Sequence, residues 1–244
     1  MMKLEGWKDA WVIFKKDVCS DRFYLIWNVL FMLYFGGMFS TMLYSVVHSD
    51  DAFHSLADCL MLVLIPMIGF YFSRRSFSYL REDSYTQMLW YYHTLPIPVR
   101  TIIKSRYLQL IAALLFNGTF FFGVIFVIFW LGGLDINLGP FQYIAFALTW
   151  IGYALLINGL YIYMELLNKG KTYFWLSCVL MLSVVVISVV ITLLHGNLLK
   201  YTMDVSARYA LLSPLMWGTL LVGALGAYGM GLQTMRKLNK RDLV

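Results

Sequence analysis

Charge is what this chain has least of. Only 13% of its 244 residues are Asp, Glu, Lys or Arg, about half the share of a soluble domain. Four histidines, five prolines and three cysteines complete the list of scarcities. Cys19, Cys59 and Cys178 are too scattered for a disulfide framework or a CxxC metal site. HExxH and GxSxG are absent, and no His/Cys cluster has metal-ligand spacing. Apolar residues take up the remainder, 61% of the chain, and they are clustered. That pattern excludes a water-soluble enzyme and a disordered chain. The net charge of +6 is not a nucleic-acid signal, because the basic residues lie between the apolar runs, where membrane topology accounts for them.

A helix needs about 20 apolar residues to cross about 30 Å of hydrocarbon. Six runs qualify: roughly 23–47, 56–73 (with Pro66 near its middle), 107–131, 141–167, 173–195 and 211–235. Backbone polar groups in lipid must be satisfied internally, so the runs read as helices. None shows the ten-residue alternation of a barrel strand. The first 20 or so residues are polar and the first run is too long for a signal h-region, so no cleavable leader is expected.

Lysine and arginine set the expected orientation. Lys3, Lys8, Lys15, Lys16 and Arg22 precede the first run; Arg74, Arg75, Arg81, Arg100, Lys104 and Arg106 separate the second from the third. Lys169 and Lys171 follow the fourth, and Arg236, Lys237, Lys240 and Arg241 follow the sixth. The loops on the other side hold only Lys200 and Arg208. Seventeen cations against two place both termini in the cytoplasm. Tyr24, Trp27, Trp130 and Trp217 at run ends suit an interfacial belt.

Three segments outside the runs have their own pattern. Leu4, Trp7, Trp11, Phe14 and Val18 recur at spacings of 3, 4, 3 and 4, with Lys8, Lys15 and Lys16 off that stripe. This is a basic amphipathic helix that lies in the membrane surface. The cytoplasmic segment 74–106 holds a helix-forming stretch that Pro96 and Pro98 end; a new helix is expected to begin near Thr101 and run into the third crossing. The external stretch 196–214 is long enough for one or two short helices.

Ionisable residues within the spans are functional candidates by default, and there are few. Asp58, at the outer end of the second run, is expected to reach headgroup water. Glu165 is expected to pair with Lys169, four residues on. Buried carboxylates and broken helices mark ion-coupled carriers, and their scarcity counts against one. Gly170-Lys171-Thr172 resembles the close of a phosphate loop, but Glu165 stands where that motif needs glycine. Asn117-Gly118-Thr119 reads as a helix-packing site, as do Gly36, Gly37, Gly223, Ala227 and Gly231. Among Glu82, Asp83, Tyr85, Met88, Leu89, Trp90, Tyr91 and Tyr92, the acidic pair and following aromatics suit a surface helix that docks into a soluble partner's groove.

The run Arg81-Glu82-Asp83, followed by Thr94-Leu95-Pro96-Ile97-Pro98-Val99-Arg100 and Lys104-Ser105-Arg106, resembles a segment of the type-2 ATP-binding-cassette (ABC) exporter permeases. Ser213-Pro214 before the last run is similar to that family's external segment. The likeness covers the whole chain in topology and about 30 residues in motif. It implies an all-α membrane protein: an interfacial elbow helix (1–22, with Trp7, Trp11 and Phe14), a six-span permease domain (23–235) and a basic cytoplasmic tail (236–244). It implies no ATPase, catalytic residue, cofactor or metal on this chain. Two ATPase subunits carrying ATP and magnesium would partner it, with a second permease chain, identical or different. Glu82, Asp83, Ser84, Tyr85 and Met88 would touch the ATPase. The first and fifth spans would meet their counterparts, and 196–214 would cap the pathway. Ser84 departs from the family, where glycine is common. The expected role is export of an amphipathic peptide or lipid-like compound across a bacterial cytoplasmic membrane. A membrane subunit of a vitamin uptake complex, an intramembrane enzyme and a passive immunity or sensor protein are the rival readings.

Overall fold

The computed structural model describes residues 5–48, 53–71, 83–95, 97–133 and 138–238, with backbone only for Glu5, Phe53, His54, Ser84, Tyr85 and His93. All regular structure among them is helical. In chain order the helices are α1 (Glu5–Ser20), α2 (Tyr24–His48), α3 (Phe53–Leu64), α4 (Ser84–Thr94), α5 (Val99–Gly132), α6 (Pro140–Leu167), α7 (Gly170–Leu193), α8 (Leu198–Tyr209) and α9 (Pro214–Leu238). Short 3₁₀ turns follow α3 (Ile65–Gly69) and α8 (Ala210–Leu212).

Five of these helices, α2, α5, α6, α7 and α9, are long and apolar enough to cross a membrane. The described residues are thus the all-helical frame of a multi-pass membrane protein. The expected second crossing departs from the pattern. Its residues form the 12-residue α3, then tighten into a five-residue 3₁₀ turn with Pro66 in its first turn. Proline has no N–H to continue the α-helical ladder, so the run breaks there. The helical turn ends at Phe70, whose backbone is extended.

The 34-residue α5 begins at Val99, immediately after Pro98. Pro98 supplies an extended N-cap, and the two prolines separate α5 from α4 as their missing donors require. A left-handed Gly133 ends α5, a position where a Cβ would be strained.

At the centre of the bundle is α6. It packs most closely on α9 and also meets the 3₁₀ turn after α3, α8 and α5. Small residues make the α6–α9 approach possible. A Cβ on Gly152 would lie 2.6 Å from the Thr219 carbonyl carbon, and one on Gly159 would lie 2.9 Å from the Ala227 Cα. Gly223 faces Gly152 in return, and Gly231 faces the Tyr107 ring. Gly36 brings α2 onto α5, where an added Cβ would lie 3.1 Å from the Phe121 carbonyl oxygen, whereas Gly37 faces open space. The aromatic core runs along α5 and α6: Phe39 against Phe121, Phe122 against Phe146, and Phe146 against Trp150, each edge to face.

Candidate functional site: a broken helix, two carboxylate caps and an outlying surface helix

Breaking α3 leaves carbonyls without donors, and in an apolar bundle each costs free energy unless a side chain replaces the lost N–H. The carbonyl of Leu62 would have bonded the N–H four residues on, which is Pro66 and has none. The Tyr153 hydroxyl donates to it at 2.8 Å. Asn158 Nδ2 donates to the Pro66 carbonyl at 2.8 Å. Asn117 Nδ2 donates to Ile68 and Phe70 at 2.9 and 2.8 Å. Asn117 and Asn158 are both buried. Gly69 is part of the fit, since a Cβ there would collide with the Asn158 carboxamide. Three polar side chains from α5 and α6 thus hold one irregular segment in place. Sequence reasoning took Asn117 for a packing residue and gave no role to Tyr153 or Asn158. The broken helix and the burial of Asp58 and Glu165 also overturn the expected scarcity of such features, which therefore no longer counts against an ion-coupled carrier.

Beside this node the Glu165 carboxylate pairs with the Arg106 guanidinium of α5, and both side chains are largely buried. The pair joins α6 to α5 and replaces the expected contact with Lys169, which instead is the N-cap of α7. Tyr107, next in sequence to Arg106, donates its hydroxyl to the Ala227 carbonyl of α9 at 2.6 Å. A third helix is thereby tied to the same level of the bundle.

Two aspartates cap helices far from them in sequence. Asp58 of α3 is 1% exposed, so it does not reach headgroup water as expected. Its two carboxylate oxygens accept the Leu198 and Leu199 N–H groups, at 2.7 and 2.8 Å, at the start of α8. Asn197 accepts from Lys200 N–H at the same terminus. A carboxylate on the first N–H groups of a helix satisfies orphan donors and opposes the dipole. At the other end of the bundle Asp83 Oδ1 accepts the Gly170 N–H at 2.7 Å. Asp83 has a left-handed backbone, with φ of 47°, and is the residue before α4. The turn between α6 and α7 is therefore fastened to the start of α4.

The placement of α4 separates its residues into two sets. Met88, Leu89 and Tyr92 are buried against the bundle, whereas Trp90 is 61% exposed and Tyr91 51%. Of the five residues expected to meet a partner, Met88 faces inward, because α4 uses it to pack, and Asp83 is engaged with α7. Ser84 and Tyr85 open α4; Glu82 lies outside the described residues. The outward set is Gln87, Trp90 and Tyr91; the aromatic pattern points to Trp90 and Tyr91 as docking residues, whereas the family likeness places the contact earlier, at residues 82–85 and Met88.

Helix α1 also has two faces. Ala10, Ile13 and Asp17 are buried as the helix packs on α5, while Trp7 and Trp11 stay about half exposed and the Phe14 ring lies tilted against Trp11, centroids 5.2 Å apart. Lys104 lies 4.8 Å from the Trp7 ring and Lys16 lies 5.5 Å from the Tyr91 ring, cation–π contacts that link α1 to α5 and α4. Among the described residues no group of three His, Cys, Asp or Glu could hold a metal ion.

Comparison of the chain with family models, curated proteins and solved structures gives no match. The likeness to exporter permeases therefore rests on the chain's own residues.

Proposed function

We propose that this chain is the membrane-spanning subunit of an ABC-type exporter of a bacterial cytoplasmic membrane, driven through α4 by separate ATPase subunits. The observation that carries the reading is α4 itself. It is an 11-residue helix lying between the apolar runs, packed on one side and presenting Trp90 and Tyr91 on the other. Aromatic residues on an exposed helix face suit capture in a groove of a soluble protein. The Asp83–Gly170 hydrogen bond gives that helix a direct attachment to α7, so force applied to α4 reaches a membrane-length helix.

In this reading the basic ends of the helices face the cytoplasm and both termini lie there. The broken second run then completes a sixth crossing. Twelve α-helical residues and five 3₁₀ residues rise about 28 Å, close to the thickness of the hydrocarbon core. ATP-driven closure of two motor subunits would shift the population between inward- and outward-facing arrangements. The cargo is an amphipathic or apolar molecule, in keeping with the few charged groups inside the bundle. A second permease chain, identical or different, completes the transporter.

Capture of the full-length chain from its native membrane tests this. ATP hydrolysis should co-purify with it, and a Trp90→Ala, Tyr91→Ala double variant should insert normally yet lose that activity by tenfold or more. A chain that works with no ATPase bound, or a double variant that retains the ATPase fully, contradicts the reading.

A further inference from the structure

A crevice of about 560 Å³ opens where the start of α7 and the end of α9 diverge beside α6. It lies within the ~300–1,000 Å³ range of ligand sites. Its apolar wall is Leu160, Leu167 and Leu176, and its polar rim is Tyr163, Asn168 and Lys237. It exists because α7 leans on α3 more than on α6, leaving a gap between adjacent spans.

The rim has the chemistry of an anion site. Lys237 donates to the Tyr163 hydroxyl and lies 5.1 Å from its ring. A phenol that accepts from an ammonium still has its own proton to give, and no acceptor for it occurs among the described residues. Arg236, Lys169 and Lys171 are exposed on the adjoining helix ends. No carboxylate lines the crevice. Glu165, next to Met164 of the wall, is turned into the bundle by Arg106.

We infer that this crevice holds an anionic phospholipid, its phosphate on Lys237 and Tyr163 and an acyl chain along Leu160 and Leu176. Charge complementarity selects the headgroup, and the apolar wall selects a lipid over a free phosphate. Basic pockets between membrane helices on the cytoplasmic side take anionic headgroups in this way. The side of the membrane rests on the orientation proposed above; the site itself does not.

The test is lipid retention by the purified full-length chain in detergent, read by native mass spectrometry with added phosphatidylglycerol or phosphatidylcholine. Phosphatidylglycerol should be retained in preference. Lys237→Gln should cut that retention about fivefold, the loss expected for one interfacial cation, and Tyr163→Phe should cut it less. Lys200→Gln, at the far end, should leave it unchanged, and millimolar inorganic phosphate should not displace the lipid. Equal retention of the two lipids, indifference to Lys237→Gln, or displacement by phosphate overturns the proposal. None of those results bears on ATPase capture, so the site and the transport reading fail separately.

Discussion

Helices α6 and α7 are neighbours in sequence, similar in length, and both apolar enough to span a bilayer, yet their surroundings are opposite. In the most apolar stretch of α6, 56% of residues are buried inside the bundle; in that of α7, 6% are. Apolarity does not explain the difference, because α7 is the more apolar of the two. In lipid, an apolar side chain gains little by leaving the acyl chains for another helix, and close packing and hydrogen bonds decide association. Helix α6 carries Gly152 and Gly159, where backbones meet α9, together with Tyr153 and Asn158, which bond the broken run, and Glu165, which pairs with Arg106. Helix α7 is a row of Val, Ile and Leu whose outward members, such as Val179, Leu182, Val186 and Ile187, are more than half exposed. Between these two helices, burial follows the small and polar residues rather than apolarity.

Substitutions on the two helices should reproduce the contrast. Gly152→Leu is expected to have the largest effect. A side chain there meets the α9 backbone at Thr219 and Leu220, which cannot yield as a flexible side chain would, and overpacking of this kind costs about 3 kcal/mol or more. Reversible unfolding in mixed micelles should register the loss, and a stability within 1 kcal/mol of the parent protein would show that α6 and α9 can separate freely.

Arg106→Ala comes next. It leaves the Glu165 carboxylate buried without its partner, at a cost of about 3 kcal/mol. Adding Glu165→Gln should recover much of that loss in the same assay, which separates an uncompensated charge from lost packing. No recovery would assign the effect to packing alone.

Asn158→Leu should cost about 1–2 kcal/mol, because the Pro66 carbonyl then lacks its donor. Amide exchange in the 3₁₀ turn should rise with it, and unchanged exchange would mean that the turn holds itself. Smallest of all, Val186→Ala on the exposed side of α7 should shift stability by less than about 0.5 kcal/mol. A larger loss would place another protein surface against that side of α7, as the proposed second permease chain would if it meets the fifth span there.

The parts of this architecture that were legible in the sequence are those set by local rules. The extent of the apolar runs gave α2, α6, α7 and α9 within about three residues, and α5, expected to begin near Thr101, begins at Val99, eight residues before its apolar run. Pro96 and Pro98 marked the gap between α4 and α5, since proline acts on its own neighbours. The 3–4 spacing of Leu4, Trp7, Trp11, Phe14 and Val18 located α1, although Ala10, Ile13 and Asp17 form a second face that the apolar count overlooked. What could not be read was pairing over distance. Pro66 was visible as an irregularity, but its missing donor is replaced by Tyr153, whose hydroxyl is 91 residues from the carbonyl it bonds. Asp58 is expected at headgroup water because it lies at the outer end of its run, and nothing near it in sequence points to the α8 terminus, 140 residues away. For Glu165, the helix-surface rule favours Lys169, but Arg106 reaches it from another helix. The inward turn of Met88 follows from how α4 meets the bundle, which an aromatic-rich stretch of 11 residues does not encode alone.

The account turns on α4 standing on the cytoplasmic side with Trp90 outward. The most direct measurement places a cysteine there, Trp90→Cys with Cys19, Cys59 and Cys178 replaced by serine, and labels it with a membrane-impermeant maleimide in vesicles of both orientations. Labelling only in inside-out vesicles, and its suppression when the ATPase subunits are present, is the expected result. Labelling of right-side-out vesicles would put α4 on the external face and contradict the account.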